Sequence, residues 1–422
     1  MTFNRRDFIK AAGIFGLGSS GLLPPYTYLS AAPSPISDHK LVVLFLTGGH
    51  DSVNTFVPFN ETNYYALRPT LGLKANKLLM PNNVSPNFDF GFHPALSGLK
   101  EIYDNGDMAL FPATHSGIGS NRSHFFQFDY INQGRFTSNT LGVSGTQGGW
   151  LNNYLKAKYS TSAGIEAFNF NSKLKALAGS FEHITLADPS NLKLGGNSFI
   201  SHQALDLLKL FRQNITSSEL NQKISASQLV LERNMDVLKS INYNAVQNGA
   251  SYPNATLARY LKHSAALFRN IPELKVSFMS FGGWDMHDNQ AARQTSRLQV
   301  LGDSIKAFYD DLGAERNNVT LLVMSEFGRT AKENGSLGTD HGAATAYFVV
   351  GGSQIKGGVQ GAWPGYATED LERERYLRLT VDYRNILVEA LDWIDDGSKI
   401  SNSKLSSPFQ EFNWDRVKRY TV

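Results

Sequence analysis

The chain has 422 residues, of which 41% are hydrophobic and 18% charged, enough for one large domain or two ordinary ones around a sizeable core. Its formal net charge is +3, and the first 32 residues supply two of these through Arg5, Arg6 and Lys10 against Asp7, so nothing points to nucleic acid as a partner. Cysteine is absent, which excludes disulfides, cysteine-ligated zinc and thiol catalysis.

The N-terminus carries Asn4-Arg5-Arg6-Asp7-Phe8-Ile9-Lys10, a weakly apolar run from Ala11 to Leu23, and small residues at Ser30-Ala31-Ala32. This is the pattern of a twin-arginine signal peptide over residues 1–32. It implies the twin-arginine translocase as a partner during export and a periplasmic or secreted location. The apolar run is too short and glycine-rich for a comfortable membrane span, so no span is expected in the mature form.

Leu41 to Leu46 is a continuous apolar run, as expected for a strand buried on both faces of a parallel sheet. It ends in Gly48-Gly49-His50-Asp51, where Asp51 reads equally as a site carboxylate or a turn-capping residue. Asn60 to Gly91 is turn-rich and reads as a surface excursion. His93 to Leu99 starts a helix with Pro94 just inside it. Met108 to Pro112 is a short strand that feeds Ser116, Ser120, Arg122, Ser123 and His124, a polar, glycine-bearing loop entering an aromatic helix. Hydroxyl, guanidinium and imidazole groups at a helix start can bind an oxyanion, and a metal can activate a hydroxyl there; plain N-capping by Ser120 or Ser123 is the alternative.

Residues from about 150 to 255 read as a helical insertion or cap on the sheet. A helix starts at Trp150, a strand falls within Ala163 to Phe170, and two amphipathic helices fill Ser201 to Ile241. His183, His202 and His263 lack polar neighbours and read as packing or surface residues. Thr256 to Arg269 is a further helix. It leads to a strand over Val276 to Phe281 that again ends in two glycines, followed by Asp285 and His287. Recurrence of strand, paired glycine and acidic residue is what a site shared along one sheet edge predicts. Gln290 to Leu312 is an amphipathic helix. It precedes strand Val319 to Met324, a loop with Glu326, Arg329, Asp340 and His341, and strand Thr345 to Val350. The stretch from Lys356 to Tyr366 reads as an irregular hairpin, and Thr380 to Arg384 caps a core helix.

TGGHDSVNTFVP, the Ser-Asn-Arg-Ser-His-Phe segment, GGWDMHDNQ, SEFGRTAKEN, GTDHG and VDYRNILVEAL, behind a twin-arginine leader, resemble the domain-of-unknown-function family 1501, grouped with the alkaline phosphatase and sulfatase superfamily. The resemblance implies an α/β fold, a mostly parallel central sheet flanked by helices with a helical insertion, in one domain over residues 38–422. It implies metal ligands among Asp51, Asp285, His287, Glu326, Asp340 and His341, for one or two divalent ions of Zn, Mn, Ca or Mg. It places a nucleophile at Ser116, Ser120 or Ser123; the catalytic groups are then read among Ser120, Ser123, Arg122, His124 and Arg329, and the guanidinium of Arg122 or Arg329 has the donor geometry to clamp an anion. Two alignments follow: in the preferred one Glu326 and Phe327 stand where the superfamily has Asp and His and His341 is the final histidine; in the other Asp340-His341-Gly342 is the Asp-His pair and no later histidine follows, so either way one ligand of the two-metal set is missing. The implied activity is hydrolysis of phosphate or sulfate esters, small or on glycans. The alternative is a non-catalytic exported binding protein that keeps the scaffold.

Overall fold

The structure, a computed structural model, describes residues 35–36, 38–83, 85–117, 122–135, 148–159, 165–170, 175–191, 234–352, 355–395, 400–401 and 409. The signal peptide, Ser120 and most of the helical stretch expected over 201–241 lie outside the described residues.

The described residues form eleven strands: β1 (Lys40–Thr47), β2 (Phe56–Val57), β3 (Gly91–Phe92), β4 (Met108–His115), β5 (Ala167–Asn169), β6 (Ile184–Thr185), β7 (Val276–Gly282), β8 (Val319–Ser325), β9 (Thr345–Val350), β10 (Gly358–Val359) and β11 (Val381–Asp382). Nine belong to one sheet, in the order β10-β4-β9-β8-β1-β7-β5-β6 with β11 also on β4. β1 lies at its centre, parallel to β7 and β8. β9 alone runs antiparallel to its neighbours β4 and β8. The mostly parallel sheet expected from the unbroken apolar runs is present.

Both faces of the sheet are covered, which is why its central strands are apolar at every position. Val42, Leu44 and Leu46 of β1 enter one core with helices α2 (Ser97–Asp104), α5 (Thr256–Asn270) and α6 (Gln290–Leu312). Leu41, Val43 and Phe45 enter the other with α3 (His124–Asn132), α4 (Trp150–Lys158) and α7 (Tyr383–Ile394). Each of these β1 side chains is at most 1% exposed, and burying each contributes about 1.5–3 kcal/mol. Helix α1 (Thr62–Leu67) precedes β3, and the described residues 234–240 are also helical. No helix among the described residues is long and apolar enough to cross a membrane.

Three expectations are corrected. The stretch after Lys356 is not a hairpin: β10 pairs in parallel with β4. The region from Asn60 to Gly91 is not only surface, since α1 buries Tyr64 and delivers the fully buried Arg68 to the sheet edge. The helix expected from His93 starts at Ser97, after Pro94.

Candidate metal centre

The parallel strands β1, β7 and β8 end side by side, so their following loops share one edge. Their close approach depends on glycine. Gly48 and Gly49 have φ of +122° and +77°; a Cβ on Gly48 would lie 2.4 Å from the Asp285 amide nitrogen, and one on Gly49 2.7 Å from the Phe327 ring. No larger residue fits either constraint.

The loops bring together Asp285 and His287 after β7, Glu326 and Arg329 after β8, Asp340 and His341 before β9, and His124 from the start of α3. His341 Nε2 is the meeting point. It lies 2.9 Å from His124 Nε2, 3.1 Å from His287 Nε2 and 3.2 Å from Asp285 Oδ1. The two other oxygen contacts are Asp285 Oδ1 to His287 Nε2 at 2.9 Å and Asp285 Oδ2 to His124 Nε2 at 3.3 Å. Among the described residues, His124, Asp285 and His341 form the group whose ligand atoms all lie within 4.8 Å of one another. His287 adjoins it on the more open side, with a side chain 46% exposed against 25% and 27% for His124 and His341.

The other nitrogen of each ring has an acceptor. His124 Nδ1 is 2.8 Å from Glu326 Oε1, His287 Nδ1 is 3.0 Å from Asp340 Oδ1, and His341 Nδ1 is 2.8 Å from the Arg122 carbonyl oxygen. Carboxylates and carbonyls only accept, so all three rings are held with a proton on Nδ1. Their Nε2 atoms then face one another as lone pairs in the neutral state. The contacts are satisfied either by further protons on His124 and His287 or by one cation. Such outer acceptors are the usual partners of metal-ligating histidines. Within the group of His124, Asp285 and His341, donor separations of 2.9–3.3 Å are close to the about 3.3–3.4 Å between donors that each lie about 2.0–2.1 Å from a zinc ion.

Electrostatics fit a divalent ion. Asp285, Asp340 and Glu326 stand against Arg329 and, on the solvent side, Arg375 at 3.5 Å from Asp340, a balance of −1 with neutral rings. Burial works against the Asp285 carboxylate, but the Arg329 hydrogen bond and charge outweigh it and hold the group at about 2. Burial also disfavours charge on His124, yet the Glu326 bond and charge raise its pKa above the ordinary value. Burial, then the neighbouring His124, lower that of His341.

The remaining candidates fall elsewhere. Asp51 is not drawn into the cluster. It is buried and paired with Arg68 at 2.7 Å, and Gln290 also donates to its Oδ2. Both of these bonds are to Oδ2; Asp51 Oδ1 is buried without a hydrogen-bond partner. Arg329 is not free to clamp an anion: it is buried, with Nη1 on Asp285 Oδ1 at 2.8 Å and Gly48 O at 3.2 Å, Nε on Thr339 Oγ1 at 3.2 Å, and Nη2 on Thr339 O. Ser123 stands at the N-cap of α3, one residue before His124, without a side-chain capping bond. Ser116 Oγ donates to Gln127 Oε1 at 2.9 Å. Phe327 packs its ring 4.7 Å from that of His124 and 5.1 Å from that of His341. Asp340 and His341, adjacent in the chain, reach the cluster differently, Asp340 behind His287 and His341 at its centre. Arg68 was missed by sequence reasoning, and no local pattern marks it.

No curated protein matches the chain. Among solved structures it is similar to Ps i-CgsB, at 10% identity over 88% of this chain and 76% of that chain, with a TM-score of 0.37. It is similar to BT1596, a 2-O GAG sulfatase, at 9% identity over 87% and 72%, with a TM-score of 0.33. It is also similar to the C-terminal periplasmic domain of EcEptC from Escherichia coli, solved in complex with Zn, at 9% identity over 93% and 96%, with a TM-score of 0.36. Residues 38–394 match the family described as "Protein of unknown function (DUF1501)", and the chain belongs to that family.

Proposed function

We propose that His124, Asp285 and His341, with His287 on the solvent side, hold one divalent metal ion, and that the chain is an exported, metal-dependent hydrolase of phosphate or sulfate esters. The observation that carries this reading is the fixing of three Nδ1 protons by Glu326, Asp340 and the Arg122 carbonyl, which turns three Nε2 lone pairs towards one another and Asp285. Protons alone would satisfy these contacts only with two imidazolium rings in the cluster that also holds Arg329. One divalent ion satisfies them with neutral rings. Three imidazoles and one carboxylate suit Zn or Mn better than the oxygen-rich sets of Ca and Mg.

Bound there, the ion supplies Lewis acidity, polarising an ester oxygen and activating water. Glu326 and Asp340 hold the rings in one tautomer, and Arg329 keeps Asp285 ionised and oriented. Asp285, His287 and Asp340, each 44–46% exposed in the side chain, leave the cluster open for substrate. The nucleophile is water or a serine hydroxyl, Ser123 being one residue from His124. The motif within residues 1–32 supports export.

One observation favours the non-catalytic alternative: the Asp51–Arg68 pair removes a carboxylate that a two-metal hydrolase would use. The test is metal content of the periplasmic protein by mass spectrometry, with rates on chromogenic phosphate and sulfate esters. One ion per chain, lost together with ester hydrolysis in His124→Ala and His341→Ala, is expected. A zinc-dialysed wild type without a stoichiometric ion would sink the reading. An ion bound without turnover of any ester would favour the binding protein.

A further inference from the structure

Arg122 has a feature that its neighbours in the site lack. Its Nε and Nη2 atoms are both buried and neither has a hydrogen-bond partner. These two N–H groups point along the same edge of the guanidinium and form the fork that grips two oxygens of a phosphate, sulfate or carboxylate. A buried donor without an acceptor is disfavoured, and a pair on one edge asks for a two-oxygen ligand.

The fork is held in place from both ends. The guanidinium lies flat on the Tyr376 ring, 3.5 Å from its centroid. The Arg122 carbonyl oxygen is bound by His341 Nδ1 at 2.8 Å, so the residue is tied directly to the candidate metal ligands. Arg329, in contrast, has every nitrogen engaged.

Charged side chains of both signs stand alongside, Glu372 and Glu374 with Arg373 and Arg375. Glu372 and Tyr376 exchange both backbone hydrogen bonds, at 2.8 and 3.1 Å, closing a tight turn over Arg373, Glu374 and Arg375. The turn is tied to the segment after Arg329 by Ala331 N donating to Arg375 O at 2.9 Å. Arg373 and Glu374 both take left-handed backbone conformations, with φ of +54° and +55°. Non-glycine residues adopt this region at a cost, and such backbone concentrates at functional sites. All three side chains are exposed. Arg373 and Arg375 are close enough to oppose the charge on Arg122, and Arg375 Nη2 lies 3.5 Å from Asp340 Oδ2.

We infer that Arg122, seated on Tyr376, is the anion-binding group of this site, with Arg373 and Arg375 as its outer rim, and that the ligand it takes is a phosphate-, sulfate- or carboxylate-bearing molecule. Its use in holding the anionic end of an ester rests on the hydrolase reading; binding of the anion does not.

Isothermal titration of the full mature chain with inorganic phosphate and inorganic sulfate tests this, on metal-stripped and zinc-loaded protein. Metal-stripped wild type binds phosphate. Arg122→Gln weakens it by about tenfold or more, the loss of two charge-assisted bonds. Arg122→Lys, which keeps the charge without the fork, also weakens it. Exposed Arg375→Gln reduces affinity about two- to threefold with a shallower salt dependence, and decides the matter if Arg122 variants fail to fold. His341→Ala, stripped of metal, still binds phosphate, so the anion site survives a failure of the metal reading. Phosphate affinity unchanged in Arg122→Gln, or binding by zinc-loaded protein alone, would overturn the inference.

Discussion

Replacing Glu326 by Gln is the sharpest perturbation of the candidate centre, because it alters no proposed ligand. The Glu326 carboxylate is buried, 2% exposed, and accepts from Gly48 N at 2.7 Å, Ser325 Oγ at 2.9 Å and His124 Nδ1 at 2.8 Å. Glutamine has the same volume. Its oxygen can still take the Gly48 and His124 protons, and its amide can donate to Ser325 Oγ, so the fold survives. What is lost is the negative charge behind the His124 ring. Carboxylates in this position are worth roughly 10–100-fold in metal affinity, about 1.4–2.8 kcal/mol at 1.4 kcal/mol per decade. The same change removes the main influence that raises the His124 pKa, so proton competition at this ring falls as affinity falls. Zinc affinity measured against a chromogenic chelator at pH 7.5, with a melting curve as control, is expected to drop within that range. An affinity within about twofold of wild type, while His124→Ala abolishes binding, would refute the role given to Glu326, since one decade is the least that the reasoning allows.

Arg68→Met should cost about 3–5 kcal/mol in urea unfolding by leaving Asp51 buried without its partner; adding Asp51→Asn should restore much of the loss. In metal-stripped protein, acid should unfold the chain through its buried histidines. Burial lowers His50, His93, His115 and His263 to about 4, below an unfolded value of about 6.5. The unfolded chain therefore binds protons first. The stability these groups confer is complete above about pH 6.5 and is lost as pH falls towards 4, by up to about 1.4 kcal/mol per pH unit for each group. Urea midpoints that stay flat between these pH values would contradict this. Arg5→Lys with Arg6→Lys should leave the precursor in the cytoplasm, as fractionation would detect.

How much of this was legible depended on where each signal resides. β1, β7, β8 and β9 could be read almost to the residue because strands buried on both faces must be apolar at every position, as Leu41 to Leu46 are. β10 and β11 could not, since a two-residue strand such as Gly358–Val359 is defined by its partner β4 and not by its own sequence. Asp285, His287 and Glu326 were singled out by one device, polar residues soon after an apolar strand, and Asp340 and His341 by their place in the loop before the next strand. His124 was picked out by its loop, but its neighbours come from three other segments that no spacing rule connects. Arg329 shows the limit of residue type: a guanidinium advertises five donors, and only the packed structure shows that all its nitrogens are engaged. Arg122 is the converse, a similar residue in a similar loop whose fork is left unpaired.

Charge balance at the sheet edge explains why a single ion is the economical reading. Asp51 follows the central strand, where a second cation would be expected to draw on it. Its charge is already cancelled by Arg68, whose Nε and Nη2 are in turn taken by the carbonyls of Ala331 and Thr330. Phe327 sets an apolar ring against His124 and His341, in the sequence position where the resemblance would have a histidine. Asp285, Asp340 and Glu326 stand against Arg329 and against Arg375, which lies 3.5 Å from Asp340, and the −1 that remains with neutral rings is met by one divalent ion. A second ion would add two positive charges with no carboxylate left to meet them. Metal stoichiometry therefore discriminates between this chain and a two-metal hydrolase, and Arg68→Met is the variant that shows which residue sets it: if freeing Asp51 raised the zinc content from one to two, the guanidinium would be the device that converts a two-metal plan to one, whereas a count still at one would place the cause at Phe327.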